Sequence, residues 1–182
     1  MRRARIVAAL FISMLLQSAV IPALFPGLAI PDFVFCLSSV VAIAFGGGRG
    51  MALAALGGLI KDGLTGAFLG AHAGADMAAV ALIGLVEPQL YKESLLTPAV
   101  VTGAATWVRE AVYMFLIGSF GARVDLSRAV VVALPWLTAL NCCAGVLLYR
   151  WTYLLPRERE SALIQAEPAA VGQLRPYGPG RS

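Results

Sequence analysis

The chain has 182 residues, 59% of them hydrophobic and 13% charged, with a mean hydropathy of +0.81. Soluble domains carry about 25% charged residues, so this balance argues against a water-soluble enzyme and reads as an all-α, polytopic integral membrane protein. The formal charge of +4 comes mostly from arginines at segment ends, and no basic patch interleaved with aromatics marks a nucleic-acid surface.

Six apolar segments follow one another, most of them near the roughly 20 residues that a helix needs to cross a bilayer. Arg2, Arg3 and Arg5 precede the first, residues 6–25, which carries no charge and is closed by Pro22 and Pro26-Gly27. A signal peptide is the competing reading, with Gly27-Leu28-Ala29 as a loose cleavage site, but the apolar core exceeds the usual length and an uncleaved span is expected. Pro31-Asp32 opens the second segment, residues 30–45, as a helix start whose aspartate suits the positive end of the helix dipole. Gly46–Gly50 then reads as a flexible turn.

The third segment covers residues 51–68 and the fourth 70–87, with His72 and Asp76 near the start of the latter. A polar loop around Lys92 leads to the fifth, residues 95–120, which Arg109-Glu110 interrupt. A second polar loop leads to the sixth, residues 129–149, broken early by Pro135-Trp136 and containing Asn141-Cys142-Cys143. Residues 156–182 turn to charge, proline and glycine and read as a flexible tail. The expected organisation is therefore a six-helix transmembrane domain over residues 1–155 and a cytoplasmic tail.

Six spans put both termini on one side. With the N-terminus in the cytoplasm, Arg2, Arg3, Arg5, Arg49, Lys92, Arg150, Arg157, Arg159, Arg175 and Arg181 face inward and only Arg123 and Arg128 face outward. The positive-inside rule favours that orientation.

The stretch Gly57 to His72, running from the third segment into the fourth, holds a lysine, an aspartate and a histidine among glycines. Gly58, Asp62, Gly66 and Gly70 fall four or eight apart, which on a continuous helix is one slowly drifting face. Small residues on such a face let another helix approach closely in lipid, so these four are the expected packing or partner surface. The run Gly58-Leu59-Ile60-Lys61-Asp62-Gly63-Leu64-Thr65-Gly66-Ala67-Phe68-Leu69-Gly70 resembles the motif of the rod shape-determining MreD family, in register at Gly58, Asp62, Leu64, Thr65, Gly66 and Gly70. The proline-aspartate before the second span and the arginine-flanked end of the last span fit the same pattern. Lys61 and the proline-glycine tail depart from it.

That resemblance implies a non-enzymatic bacterial inner-membrane subunit of the cell-elongation machinery that helps maintain rod shape and direct lateral peptidoglycan synthesis. It implies the single-pass protein MreC as partner, with MreB, RodA and its transpeptidase in the same assembly. It also implies a bundle similar to the substrate-binding subunits of vitamin transporters of the ECF type. The alternative is a substrate-binding subunit of a small-solute transporter, for which glycine-broken helices and midplane charges would form the site.

A charge at membrane depth costs at least a few kcal/mol unless it is paired or hydrated. Lys61, Asp62, Arg109, Glu110 and Asn141 are accordingly expected to form an intramembrane polar network, with Asp62 opposite Arg109 and Lys61 opposite Glu110. Neighbouring helical residues point about 100° apart, so neither Lys61 and Asp62 nor Arg109 and Glu110 share a face. Asn141 is expected to find an interhelical partner, and His72 an outer-interface or interhelical hydrogen bond.

No enzyme motif is present. The chain has no Walker loop, no G-x-S-x-G and no H-E-x-x-H. Asp62-Gly63 begins like the motif of CDP-alcohol phosphotransferases, but Asp76 stands alone where further spaced aspartates would be needed. Cys36, Cys142 and Cys143 read as small packing residues, and no cofactor or metal is expected.

Overall fold

The computed structural model describes residues 2–20, 23, 30–66, 68–121, 133–154 and 157. Among them there are six α-helices and no strand: α1 (Arg2–Leu15), α2 (Phe33–Phe45), α3 (Gly47–Thr65), α4 (Ala71–Val86), α5 (Leu96–Ser119) and α6 (Leu134–Tyr149). Wider π-type turns, Leu16–Val20 and Arg150–Leu154, extend α1 and α6. The Gly27–Ala29 site, Arg123, Arg128 and the tail apart from Arg157 lie outside the described residues.

α2 is the hub. Ten of its 13 residues are buried, and it touches every other helix. α3, α4, α5 and α6 pack in chain order, each against the next; α2 closes the arc between α3 and α6, and α1 lies on α2. The main apolar core gathers Phe35, Val40 and Ile43 of α2 with Val80 and Ile83 of α4 and Tyr149 of α6. Tyr149 fastens one end of the bundle, its hydroxyl donating to the Lys92 carbonyl at 2.7 Å.

Glycine sets how close the helices come. A Cβ on Gly47 would lie 2.6 Å from the Gly84 Cα, and one on Gly58 would lie 2.6 Å from the Ala73 nitrogen. Backbone therefore meets backbone along the α3–α4 pair, which only residues without side chains permit.

Several boundaries differ from those read in the sequence. Gly46 alone makes the turn after α2, at φ 102°, and helix resumes at Gly47, so the Gly46–Gly50 stretch is not a flexible loop. α5 runs unbroken through Arg109-Glu110. Pro135 does not break α6; it sits in the first turn, where its missing N–H would have had no helical partner.

Polar and charged groups lie buried beside the apolar core, and large apolar side chains cover the outside. Asp62, Asp76, Asn141, Thr102 and Thr106 are buried, whereas Phe11, Leu59, Leu85, Phe115 and Leu147 face outward, Phe115 being 73% exposed. That reverses the usual arrangement of a water-soluble domain. An open apolar cleft of about 240 Å³ runs between α1 and α6, floored by Phe33 and edged by Ile12, Leu16, Leu147 and Trp151. By length and apolarity, α5 is the one helix among the described residues that suffices to cross a bilayer, and Ile6–Ala19 and Phe33–Phe45 are shorter apolar helices.

Candidate functional site

Two buried constructions built around carboxylates organise the interior. The first begins at Asp32, the residue before α2. Its side chain caps that helix, accepting from the Phe35 N–H at 3.1 Å. Its other oxygen receives the Lys61 ammonium from α3 and, at 2.7 Å, Arg109 Nη2 from α5. Its own N–H donates to Asn141 Oδ1 of α6 at 2.9 Å. One residue thereby ties four helices together, three through its side chain and α6 through its backbone N–H.

Arg109 is the counterpart on the cationic side. Its Nε donates to Asp76 Oδ1 of α4 at 2.8 Å, and its Nη1 pairs with Glu110. A guanidinium has five N–H donors in a planar fork, which lets it serve three carboxylates at once. Lys61 lies 3.8 Å from Asp76 Oδ2 in addition to its contact with Asp32. Asn141 extends the network, donating through Nδ2 to Thr106 Oγ1 at 3.2 Å, and the Thr106 hydroxyl donates in turn to the Thr102 carbonyl at 2.8 Å.

The second construction is the turn from α3 to α4. Asp62 Oδ2 accepts from the Gly70 N–H at 2.8 Å, and Asp62 Oδ1 accepts from the His72 N–H at 3.0 Å. The Ala73 N–H points at Oδ2 from 3.4 Å, and His72 Nδ1 lies 2.7 Å from Oδ1. The first N–H groups of any helix lack partners within it, and Gly70 has no side chain to supply one. Asp62 reaches across from the preceding helix and does so instead. The Thr65 hydroxyl donates back to the Lys61 carbonyl at 2.9 Å as α3 ends, and the His72 ring packs on Tyr113 with centroids 4.5 Å apart.

These positions correct the pairing expected from sequence. Asp62 does not meet Arg109, and Lys61 does not meet Glu110; Asp62 serves the turn, and Lys61 and Arg109 converge on Asp32 and Asp76. Successive helical residues diverge by about 100°, so Lys61 and Asp62 enter different sides of the interior although both are buried. Arg109 and Glu110 pair despite that divergence, because the long arginine side chain reaches its neighbour. Asn141 does find interhelical partners, on Asp32 and Thr106.

The glycine row is also not one helical face. α3 ends at Thr65, and Gly66 and Gly70 take φ of 63° and 92°, left-handed values that other residues avoid. A Cβ on either would meet nothing, whereas Gly58 lies hard against α4. Gly58 is thus a packing residue, and Gly66 and Gly70 are turn residues. Asp32 and Asp76 were the two members of the cluster not anticipated in it. Pro31-Asp32 carried a signal, since an aspartate in an apolar stretch can cap a helix and still offer an oxygen to a cation.

The family described as rod shape-determining protein MreD matches this chain over residues 3–159. No curated protein and no solved structure matches it. The match extends from α1 past α6 and includes both buried constructions. The chain belongs to the MreD family of rod shape-determining proteins.

Proposed function

We propose that the protein is a non-enzymatic membrane subunit of the bacterial cell-elongation machinery, with six helices crossing the inner membrane and both termini in the cytoplasm. In this reading it binds a single-pass protein of the MreC type and, through it, an assembly containing MreB, RodA and its transpeptidase. The six-helix bundle is of the kind found in the substrate-binding subunits of vitamin transporters. The observation that carries the reading is the reversed polarity of the bundle, ionised groups inside and large apolar side chains outside, in a chain of the MreD family. Apolar side chains are stable in that position when lipid or another apolar surface covers them.

The turn held by Asp62 displays Leu64, Phe68 and Leu69 on its outside, and we assign the partner contact to this edge. Gly66 and Gly70 shape it, and Gly58 and Asp62 support it from within. Transport of a small solute fits less well, because Lys61 and Arg109 already spend their donors on the protein's own carboxylates.

Co-purification from detergent with a single-pass protein of the MreC type tests the proposal. The two are expected to elute together, and Leu69→Arg at the turn is expected to separate them while leaving the bundle folded. A chain that elutes alone and supports solute uptake would overturn the reading.

A further inference from the structure

The charges of the cluster do not balance. Three carboxylates, Asp32, Asp76 and Glu110, face two cations, Lys61 and Arg109. The side chains of Asp32, Lys61 and Arg109 are each less than 10% exposed, and that of Asp76 is wholly buried. An unmatched charge in such a place is strongly unfavourable, and ionisable groups there take the neutral form instead.

The three acids are not equivalent. Asp32 is the one to which both cations and the Phe35 N–H converge, all of which favour its ionised form. Glu110 pairs with Arg109 and is 13% exposed, so its charge is partly open to the surroundings. Asp76 has one oxygen on Arg109 Nε, while Oδ2 is buried with no hydrogen-bond partner among the described residues. The Lys61 ammonium stands 3.8 Å from that oxygen. A carboxylate oxygen that is buried and undonated is the atom best suited to carry a hydrogen of its own.

We propose that the cluster holds one bound proton, on Asp76 Oδ2, so that the buried ion set is neutral. The proton comes from water and returns to it, and the O–H bond is the only one formed. The same single positive charge could be delivered by a small metal cation, but the Lys61 ammonium already stands on that side of the carboxylate and repels one. The charged groups against Asp76 are Lys61 from α3 and Arg109 from α5; both also hold Asp32, while Glu110 and Tyr113 lie against Arg109, and Cys36 lies beside Asp32 at the start of α2. Asp62 and His72 are occupied with each other.

Infrared spectroscopy of the purified full chain in detergent reads this directly, because the carbonyl stretch of a protonated acid is separate from the carboxylate stretches. At neutral pH the protein is expected to show one such band, to shift it on carbon-13 labelling of aspartate, and to lose it in Glu110→Gln, which leaves two carboxylates facing two cations. Asp76→Asn should lose the band and keep the fold, since an amide mimics the protonated acid. Asp76→Glu, which retains a carboxyl group, should move the band from the aspartate label to the glutamate label, and it decides the matter if the asparagine variant does not fold. Absence of an aspartate-sensitive band, its persistence in either Asp76 variant under the original label, or its loss on adding sodium salt at constant pH would overturn the proposal.

Discussion

Asp62 and Asp76 are both buried, and they sit on adjacent helices in one bundle, yet they are stabilised in opposite ways. Asp62 is surrounded by N–H donors from Gly70 and His72 and by the His72 ring, with no lysine or arginine bound to it among the described residues. Among the described residues Asp76 has no backbone donor, and it depends on Arg109 and Lys61. A carboxylate held by amides organises a local turn, because its donors lie a few residues along the chain. An acid held by full charges organises the whole bundle, because those charges arrive from other helices. Burial alone therefore says little about what an acidic residue does.

The contrast can be broken most severely at Arg109. Arg109→Ala leaves three carboxylates facing Lys61 alone, and removing one partner of a buried ion pair costs about 3–5 kcal/mol. Folded yield after detergent extraction should fall accordingly, and Arg109→Lys should not restore it, since an ammonium lacks the planar fork that reaches three acceptors. Combining Asp32→Ala with Arg109→Ala should cost less than the two single losses summed, because the residues are bonded.

Asp62→Ala tests the other construction. It removes the acceptor for the first N–H groups of α4, a loss of about 2 kcal/mol for a charged cap. Because Asp62 and Arg109 share no contact, the double variant should be additive to within about 0.5 kcal/mol. Thermal melting of the three proteins checks this, and marked coupling would mean that the turn and the cluster form one network. The smallest effect is expected at Gly66→Ala, about 1 kcal/mol for a Cβ at φ 63°, with no steric term because the site is open. Gly58→Ala should be worse than Gly66→Ala, its Cβ being driven into the α4 backbone.

How much of this could be read in the sequence follows from the same distinction. The number of helices and the start of α2 at Asp32 were legible, since both rest on local composition. That Lys61, Arg109 and Asn141 would be paired was legible from the penalty on isolated polar groups in an apolar setting. Which groups pair was not, because Asp32 and Lys61 are 29 residues apart and Asp76 and Arg109 are 33 apart, distances that only the fold closes. The glycine row misled for a related reason. Spacing by fours describes a face only while the helix lasts, and α3 has no apolar stripe whose loss at Thr65 would mark its end. Its outward side chains include Leu56, Leu59, Ile60 and Leu64, while its inward residues are Gly50, Ala54, Gly57 and Gly58 together with Lys61 and Asp62, so hydropathy draws no apolar inner face.

The sheathing of α2 has a consequence for the order of assembly. A segment enclosed on every side reaches its final surroundings only after its neighbours have been made, and four of its five neighbours are synthesised later. Asp32 cannot be neutralised until Lys61 and then Arg109 emerge, and the amide before α2 waits for Asn141 in the last helix. Early in the chain's life α2 is thus held provisionally, and the closing step of maturation is the docking of α6 onto a helix made long before it.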